Sequence, residues 1–220
     1  MKKIEREAMM KEKLIAMKEF KNRLISEGVD YIAGVDEVGR GPLAGPVVAA
    51  CVILPKDFDT PGLDDSKKLT EKRRNAMLEV IRKEAVAYGL GMASPEKIDE
   101  VNILEATKGA MKIAIAKAEA MLMKKAGAKI DHILFDAIKI EDIQIPQTSI
   151  IQGDGKSVSI AAASILAKVT RDAMMVKYAE EYPGYSFESN KGYGTKAHYE
   201  GLEKHGITPI HRRSFLKKML

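Results

Sequence analysis

Two adjacent carboxylates, Asp36 and Glu37, stand at the end of an apolar run in residues 31–35 that we predict to be a buried strand. A buried strand end rarely carries unpaired acids, because removing a charge from water is costly unless another group neutralises it. A divalent cation would neutralise both side chains. The residue types and their position therefore indicate metal-dependent chemistry at this strand end.

Two further acids occupy equivalent positions. Asp136 ends a predicted strand over residues 129–136, and Asp154 follows another over residues 148–152. Sites in layered α/β folds form at strand ends, and converging carboxylates would repel one another unless cations bound between them. Oxygen ligands suit Mg²⁺ or Mn²⁺, and two such ions about 3.5–4 Å apart can activate water and stabilise a leaving oxygen in phosphodiester hydrolysis. An acid at a strand end is more often a cap or turn residue, so the residues alone leave both interpretations open.

A basic glycine turn follows the paired acids. Gly39 and Gly41 lack a Cβ atom, so the backbone there could approach a ligand closely, and Arg40 between them would attract a phosphate. Tyr193 also lies between two glycines, where its ring could stack on a sugar or a base. A half-buried structural tyrosine is the alternative.

Two polar segments could contact phosphate. Ser66 and Lys67 either bind one or cap a helix predicted over residues 70–84, and the sequence does not decide between these. Residues 153–157 have the composition of a nucleotide-binding P-loop, but Ile150 stands where that pattern requires a glycine, which excludes it.

The elements that must position these residues alternate between strand and helix, which predicts an α/β layered fold. The two first strands form a pair within residues 30–54, and a third is expected near residues 85–92. Further helices are predicted over residues 101–125, 156–181 and 195–204. Residues 1–28 are predicted to form a charged helical arm that either contacts substrate or a partner or packs on the body, with residues 29–220 as the catalytic domain.

Composition excludes several classes of protein. The single cysteine, Cys51, rules out an intrachain disulfide framework and is expected to be a buried, inert thiol, which is compatible with a cytoplasmic location. No apolar stretch approaches the roughly 20 residues that span a bilayer, so no membrane association is expected. The net charge of +5 leans only modestly toward polyanionic partners.

Taken together, these segments resemble the type 2 ribonucleases H, the bacterial ribonuclease HII family. The resemblance runs from about residue 31 to residue 215 in a series of ordered blocks. These blocks are Gly34–Val47, Asp65–Leu69, Ile103–Thr107, Phe135–Asp136, Gly153–Ser157, Ala161–Asp172, Lys191–Thr195 and His211–Phe215. In many relatives the third acid is followed by glycine, whereas this chain has Ala137.

The resemblance implies a ribonuclease H-like fold, with a central mixed five-stranded sheet flanked by helices. It implies an endonuclease that cuts the RNA strand of RNA–DNA hybrids, and that cuts duplex DNA on the 5′ side of an embedded ribonucleotide, as in ribonucleotide excision repair. The metal ligands would be the four acids already described, with Mn²⁺ or Mg²⁺ as cofactor. The glycine turn and Tyr193 would recognise the ribonucleotide, and the enzyme is expected to act as a monomer. Some relatives have a longer C-terminal helical extension than this chain has after Phe215, and the arm is expected to substitute for it.

Two other functions compete with this one. A junction-resolving DNA nuclease would use the same acid-rich sheet, but its substrate contains no ribose. A non-catalytic nucleic-acid binder would need no metal, and four strand-end acids would repel its ligand.

Overall fold

The computed structural model describes residues 3–217, and within them one five-stranded sheet forms the centre of the molecule. The strand order is β3-β2-β1-β4-β5. The pairs β1–β2 and β2–β3 are antiparallel, whereas the pairs β1–β4 and β4–β5 are parallel. The strands are β1 (Ile32–Val38), β2 (Val47–Ile53), β3 (Ala87–Ala93), β4 (His132–Asp136) and β5 (Gln147–Ile150). The predicted mixed sheet is therefore confirmed.

Helices cover the sheet on both faces. They are α1 (Lys3–Met17), α2 (Glu19–Ser26), α3 (Glu71–Glu84), α4 (Pro95–Val101), α5 (Ile103–Ala126), α6 (Gly153–Lys156), α7 (Val158–Glu181), α8 (Phe187–Asn190) and α9 (Lys196–His205), followed by a 3₁₀ turn at Arg213–Phe215. Three predicted helices match α3, α5 and α9 closely. The helix predicted from residue 156 instead begins at Val158, because residues 153–156 form a separate short turn.

The long helices α5 and α7 pack on opposite faces of the sheet. Successive side chains of a strand point to opposite faces, and in β2 Ala50 packs with the cluster under α7 while Ala49 and Cys51 pack with the cluster under α5. This explains why β2 is apolar at every position. Cys51 is fully buried, as expected, and burial raises the pKa of its thiol.

Glycines in the sheet let both helices lie close to it. A Cβ atom built on Gly34 would lie 2.1 Å from the carbonyl carbon of Ser159 in α7, and one on Gly91 would lie 2.0 Å from the carbonyl oxygen of Ala110 in α5. A larger residue at either position would push a helix away from the sheet. Gly34 therefore helps to fix α7 beside the end of β1.

The N-terminal segment is two helices with a break at Lys18, and not the single helix expected for residues 1–28. Leu14 and Met17 are buried in the cluster on the α7 face, and Leu24 packs near β4 and β5. Lys21 is also buried and donates a hydrogen bond to the carbonyl oxygen of Pro55, and burial lowers its pKa to about 8. These contacts favour the packed arrangement, while the division into an arm and a catalytic domain stays a prediction. Across residues 3–217 no helix has both the length and the apolar character needed to cross a membrane.

Candidate active site

Three of the four predicted acids meet at one end of the sheet. Asp36, Asp136 and Asp154, here called the acid cluster, each offer a carboxylate oxygen within 4.8 Å of the others. Strands β1 and β4 are parallel neighbours in which Val35 pairs with Phe135, so Asp36 and Asp136 follow at the same level. Register thus brings together two acids that lie far apart in the sequence.

Asp154 reaches the cluster through a sharp turn after β5. Gln152 has a φ of +58°, and α6 begins directly after it. The backbone N–H of Gly153 donates a 2.8 Å hydrogen bond to Oδ1 of Asp136, which ties α6 to the end of β4. Ala137 has a φ of +54°, in the left-handed region that favours glycine, so it carries backbone strain beside the cluster.

The acid cluster is poorly neutralised by the protein. Asp36 is only 6% exposed, and burial together with the charge of Glu37 raises the pKa of its carboxyl well above the ordinary value. Burial, Asp65 and Asp136 likewise raise the pKa of Asp154. Lys67 is the nearest cation that pairs with the cluster, but its Nζ lies 3.8 Å from Oδ2 of Asp154 and its side chain is mostly exposed. These groups repel one another unless a cation binds between them.

Glu37 is not among the three acids whose carboxylate oxygens lie within 4.8 Å of one another, but its charge acts on Asp36 and that of Asp136 acts on it, so its role as a fourth metal ligand stays a prediction. Adjacent strand residues face opposite sides of the sheet, so Asp36 points toward α7 and Glu37 points away from it. Oε1 of Glu37 lies 3.5 Å from Nη1 of Arg40, while its Oε2 is buried and has no hydrogen-bond partner. Burial, and to a smaller extent Asp136, raise the pKa of Glu37 against the opposing effect of Arg40. An orphaned carboxylate oxygen beside three clustered carboxylates fits a hard divalent cation such as Mn²⁺ or Mg²⁺.

The glycine turn and Tyr193 also come together. A Cβ atom built on Gly41 would lie 3.6 Å from Cε1 of the Tyr193 ring, and that ring is 46% exposed. The backbone N–H of Leu43 donates a 2.8 Å hydrogen bond to the carbonyl oxygen of Gly192, so the two loops are joined by their backbones. Tyr193 is therefore presented on the surface beside the turn.

Two buried arginines, Arg171 and Arg212, hold this arrangement; we call them the arginine bracket. The Arg212 guanidinium donates to the carbonyl oxygens of Gly39 (2.5 Å), Arg40 (2.9 Å) and Gly45 (2.8 and 3.0 Å). Both side chains are fully buried, and burial lowers their pKa values to about 9 for Arg212 and about 10 for Arg171, so both stay charged at neutral pH.

Arg171 makes the matching contacts to the other loop. Its guanidinium donates to the carbonyl oxygens of Pro46 (2.9 Å), Lys191 (2.9 Å) and Ala44 (3.1 Å). Neither arginine was predicted as a site residue, although both lie in blocks that carry the resemblance. The only signal in the sequence is that Arg171 has apolar helical neighbours such as Met175, which is unusual for a surface arginine.

Ser66 is buried, and Lys67 beside it is exposed. The Ser66 hydroxyl lies 2.9 Å from Oγ of Ser164 in α7, and Ser164 is in turn hydrogen-bonded to Asp36. In this geometry the Ser66 side chain supports the acid cluster. Although burial acts to lower the pKa of Lys67, the charges of Asp154 and Asp65 raise it, so this ammonium is available to a phosphate.

Comparisons with known proteins agree with this geometry. The family model for ribonuclease HII matches residues 33–218. The ribonuclease HII of Caldanaerobacter subterraneus subsp. tengcongensis is 54% identical over 204 residues, which cover 93% of this chain and 81% of that protein.

Solved structures share the fold. The crystal structure of ribonuclease H2 from Pyrococcus horikoshii OT3 has a TM-score of 0.69 and 25% identity, covering 86% of this chain and 96% of that chain. Bst-RNase HIII in complex with Mn²⁺ has a TM-score of 0.55 and 17% identity, covering 86% and 70%, and this likeness concerns the fold alone. The matched family model and the 54% identical relative together show that this chain belongs to the ribonuclease HII family, metal-dependent endoribonucleases that hydrolyse phosphodiester bonds of RNA–DNA hybrids.

Proposed function

We propose that this enzyme also cuts duplex DNA on the 5′ side of an embedded ribonucleotide, leaving 3′-hydroxyl and 5′-phosphate ends. The observation that carries the proposal is the position of Tyr193 against Gly41, at the turn that follows the acid-bearing strand β1. A protein distinguishes RNA from DNA through the 2′-hydroxyl group, which both donates and accepts hydrogen bonds. Backbone groups of a glycine turn can meet that hydroxyl without a side chain intervening, while an aromatic ring packs against the sugar.

Asp36, Glu37, Asp136 and Asp154 would hold Mn²⁺ or Mg²⁺. A pair of such ions would supply water activation and stabilisation of the leaving oxygen in phosphodiester hydrolysis. The protein's part is to keep the carboxylates close together and partly dry, which the burial of Asp36 and Asp154 supports.

The remaining residues would hold the substrate. Lys67 and Arg40 are exposed cations on either side of the acids, and we assign them to phosphates of the duplex. Phosphate contacts position a nucleic acid but carry no information about the ribose, so recognition falls to Gly39, Gly41 and Tyr193. The partners would be RNA–DNA hybrids and ribonucleotide-containing DNA duplexes. We further propose that the enzyme acts as a cytoplasmic monomer in ribonucleotide excision repair.

The test is cleavage of three labelled duplexes of one sequence: all DNA, DNA with one ribonucleotide, and a full RNA–DNA hybrid. Each is incubated with Mn²⁺, with Mg²⁺, or with a chelator. We expect metal-dependent cleavage of the second and third duplexes and none of the first. Cleavage of all-DNA duplex at a similar rate would favour a DNA nuclease, and cleavage of the hybrid alone would limit the activity to long RNA strands.

A further inference from the structure

Two buried histidines form a hydrogen-bonded pair behind the Tyr193 loop. Nε2 of His198 lies 3.0 Å from Nε2 of His211, and their exposed fractions are 0% and 2%. His198 lies in α9, and His211 lies in the extended segment that precedes the terminal 3₁₀ turn. The activity described above assigns no role to either residue.

The groups at the two ends of this pair fix where the protons are. The backbone N–H of Thr208 lies 2.9 Å from Nδ1 of His211 and can only donate, so that nitrogen accepts and the His211 proton is on Nε2. The carbonyl oxygen of Tyr193 lies 2.9 Å from Nδ1 of His198 and can only accept, so the His198 proton is on Nδ1. His211 Nε2–H therefore donates to the unprotonated Nε2 of His198.

This chain of hydrogen bonds requires both rings to be neutral. A proton added to His198 would place two N–H groups against each other, and a proton added to His211 would oppose the N–H of Thr208. Burial lowers the pKa of both rings, to about 4 for His211, in agreement with that geometry. These hydrogen bonds thus all run in one direction, from the Thr208 N–H through both imidazoles to the carbonyl oxygen of Tyr193.

The same segment also holds the glycine turn. The backbone N–H of Gly45 donates to the carbonyl oxygen of Ile210 (2.8 Å), and that of Arg212 donates to the carbonyl oxygen of Leu43 (2.9 Å). The side chain of Arg212 binds the carbonyl oxygens of the turn itself, whereas its neighbour His211 reaches the tyrosine loop through His198. The consecutive residues His211 and Arg212 therefore hold the Tyr193 loop and the glycine turn, respectively.

We propose that His198 and His211 are positioning residues that hold the Tyr193 ring at a set distance from the glycine turn. The carbonyl oxygen of Tyr193 accepts from the backbone N–H of Thr195 (2.8 Å) on one side and from Nδ1–H of His198 (2.9 Å) on the other. The bond from His198 adds a restraint from another helix to a loop that is flanked by two glycines. The inference deepens the proposed function, since it rests on ribose recognition by Tyr193. The ring stays exposed for substrate while its backbone is anchored from behind.

The proton arrangement can be tested without any activity assay. Long-range ¹H–¹⁵N NMR spectra of the full-length protein between pH 6 and 8 should show His198 protonated on Nδ1 only and His211 on Nε2 only. His205, which is exposed, provides a separate ring signal with which the two buried rings are compared. An imidazolium signal from either buried ring at pH 7, or the opposite tautomers, would overturn the proposed series of hydrogen bonds from Thr208 to Tyr193.

The effect on catalysis is tested with His198→Leu, which removes the side-chain donor to the Tyr193 carbonyl oxygen, and with His198→Asn, whose amide nitrogen can replace Nδ1 as a donor. We expect single-turnover cleavage of the one-ribonucleotide duplex to slow by at least about tenfold in His198→Leu, and to be largely restored in His198→Asn. Binding of the same duplex in Ca²⁺ should stay within about threefold, because phosphate contacts persist. His205→Gln, a change in a nearby histidine that does not contact Tyr193, should cleave at the native rate.

A double-mutant cycle separates this inference from the proposed function. If His198 acts through the ring, adding His198→Leu to Tyr193→Ala should slow cleavage no further. Additive losses would overturn the positioning role while leaving ribose recognition by Tyr193 intact. Native cleavage by Tyr193→Ala would instead overturn the recognition role itself, and the NMR result would be unaffected by that outcome.

Discussion

The acid cluster and the arginine bracket both bury charge next to the end of β1, but only the bracket has a full set of hydrogen-bond partners from the protein. Each guanidinium of the bracket donates to three carbonyl oxygens, and its pKa stays high enough to keep the charge. The acids of the cluster accept few hydrogen bonds, and burial raises the pKa of Asp36 and Asp154. The bracket is therefore a complete structural unit, whereas the negative charges of the cluster are opposed only weakly by Lys67, which is mostly exposed.

This difference separates two kinds of buried charge. A charge whose hydrogen bonds are all made stabilises the fold, and removing it leaves unpaired partners. Charges of one sign held close together without enough hydrogen-bond partners destabilise the fold until a ligand arrives, which is the arrangement expected of a functional site. Substitutions in the two regions should therefore have opposite effects on stability.

The largest effect is expected from Asp36→Asn. Loss of a carboxylate from the cluster should weaken metal binding and slow cleavage by roughly a thousandfold or more. Single-turnover rates at saturating Mg²⁺ measure this, with a metal-binding titration alongside. Near-native turnover would show that Asp36 is not a catalytic residue.

The same variant should be at least as stable as the native protein without metal. The native pKa of Asp36 is raised above its ordinary value of 3.8, so its ionisation destabilises the fold as pH rises through the interval between those two values. The stability gain of Asp36→Asn should thus be absent at low pH, grow across that interval and stay constant above it. Thermal unfolding in a chelator over a series of pH values tests the sign, and a loss of stability at pH 8 would contradict it.

Arg212→Met should have the opposite effect. It leaves the carbonyl oxygens of Gly39, Arg40 and Gly45 unpaired, which should lower the free energy of unfolding by about 3–5 kcal/mol and Tm by about 10 °C. Arg213→Met is the matched control, because this neighbouring side chain is exposed and its loss should change stability by no more than about 0.5 kcal/mol. Equal losses of stability in the two variants would show that the buried hydrogen bonds of Arg212 contribute no more to stability than an exposed arginine does.

Tyr193→Ala tests the role of the aromatic ring on the loop that the arginine bracket holds. A ring against the sugar contributes about 1–3 kcal/mol, so cleavage of a single-ribonucleotide duplex should slow by about tenfold to a hundredfold. Affinity in Ca²⁺ should stay within about tenfold of the native value, because lysines and arginines still hold the phosphates. An equal loss of affinity for all-DNA duplex would mean that Tyr193 binds nucleic acid without reading the ribose.

Ala137→Gly should have the smallest effect, and it tests the backbone strain next to the acid cluster. Relief of left-handed strain at Ala137, less the extra chain entropy of glycine, should stabilise the protein by about 0.5–1 kcal/mol. Denaturant unfolding measures the gain, and cleavage should remain native because the carboxylate of Asp136 is kept. No gain in stability would show that the surrounding structure relieves the strain by other means.

Much of the site could be predicted from the sequence, because strands and helices follow from local patterns. The apolar runs before Asp36 and Asp136 predicted β1 and β4, and the glycines around Arg40 and Tyr193 predicted exposed turns. Sequence spacing also located Asp154 near the end of β5. These are local properties, set by side-chain periodicity and by residues that end an element.

Only the tertiary structure decided which of these residues meet. Parallel register placed Asp36 beside Asp136, and the alternation of side chains along β1 turned Glu37 to the other face. The buried roles of Arg171 and Arg212 depend on carbonyl oxygens supplied by distant loops, which no local pattern reveals. The sequence thus determined the elements and their chemical groups, whereas packing between distant segments determined the distances on which binding and catalysis depend.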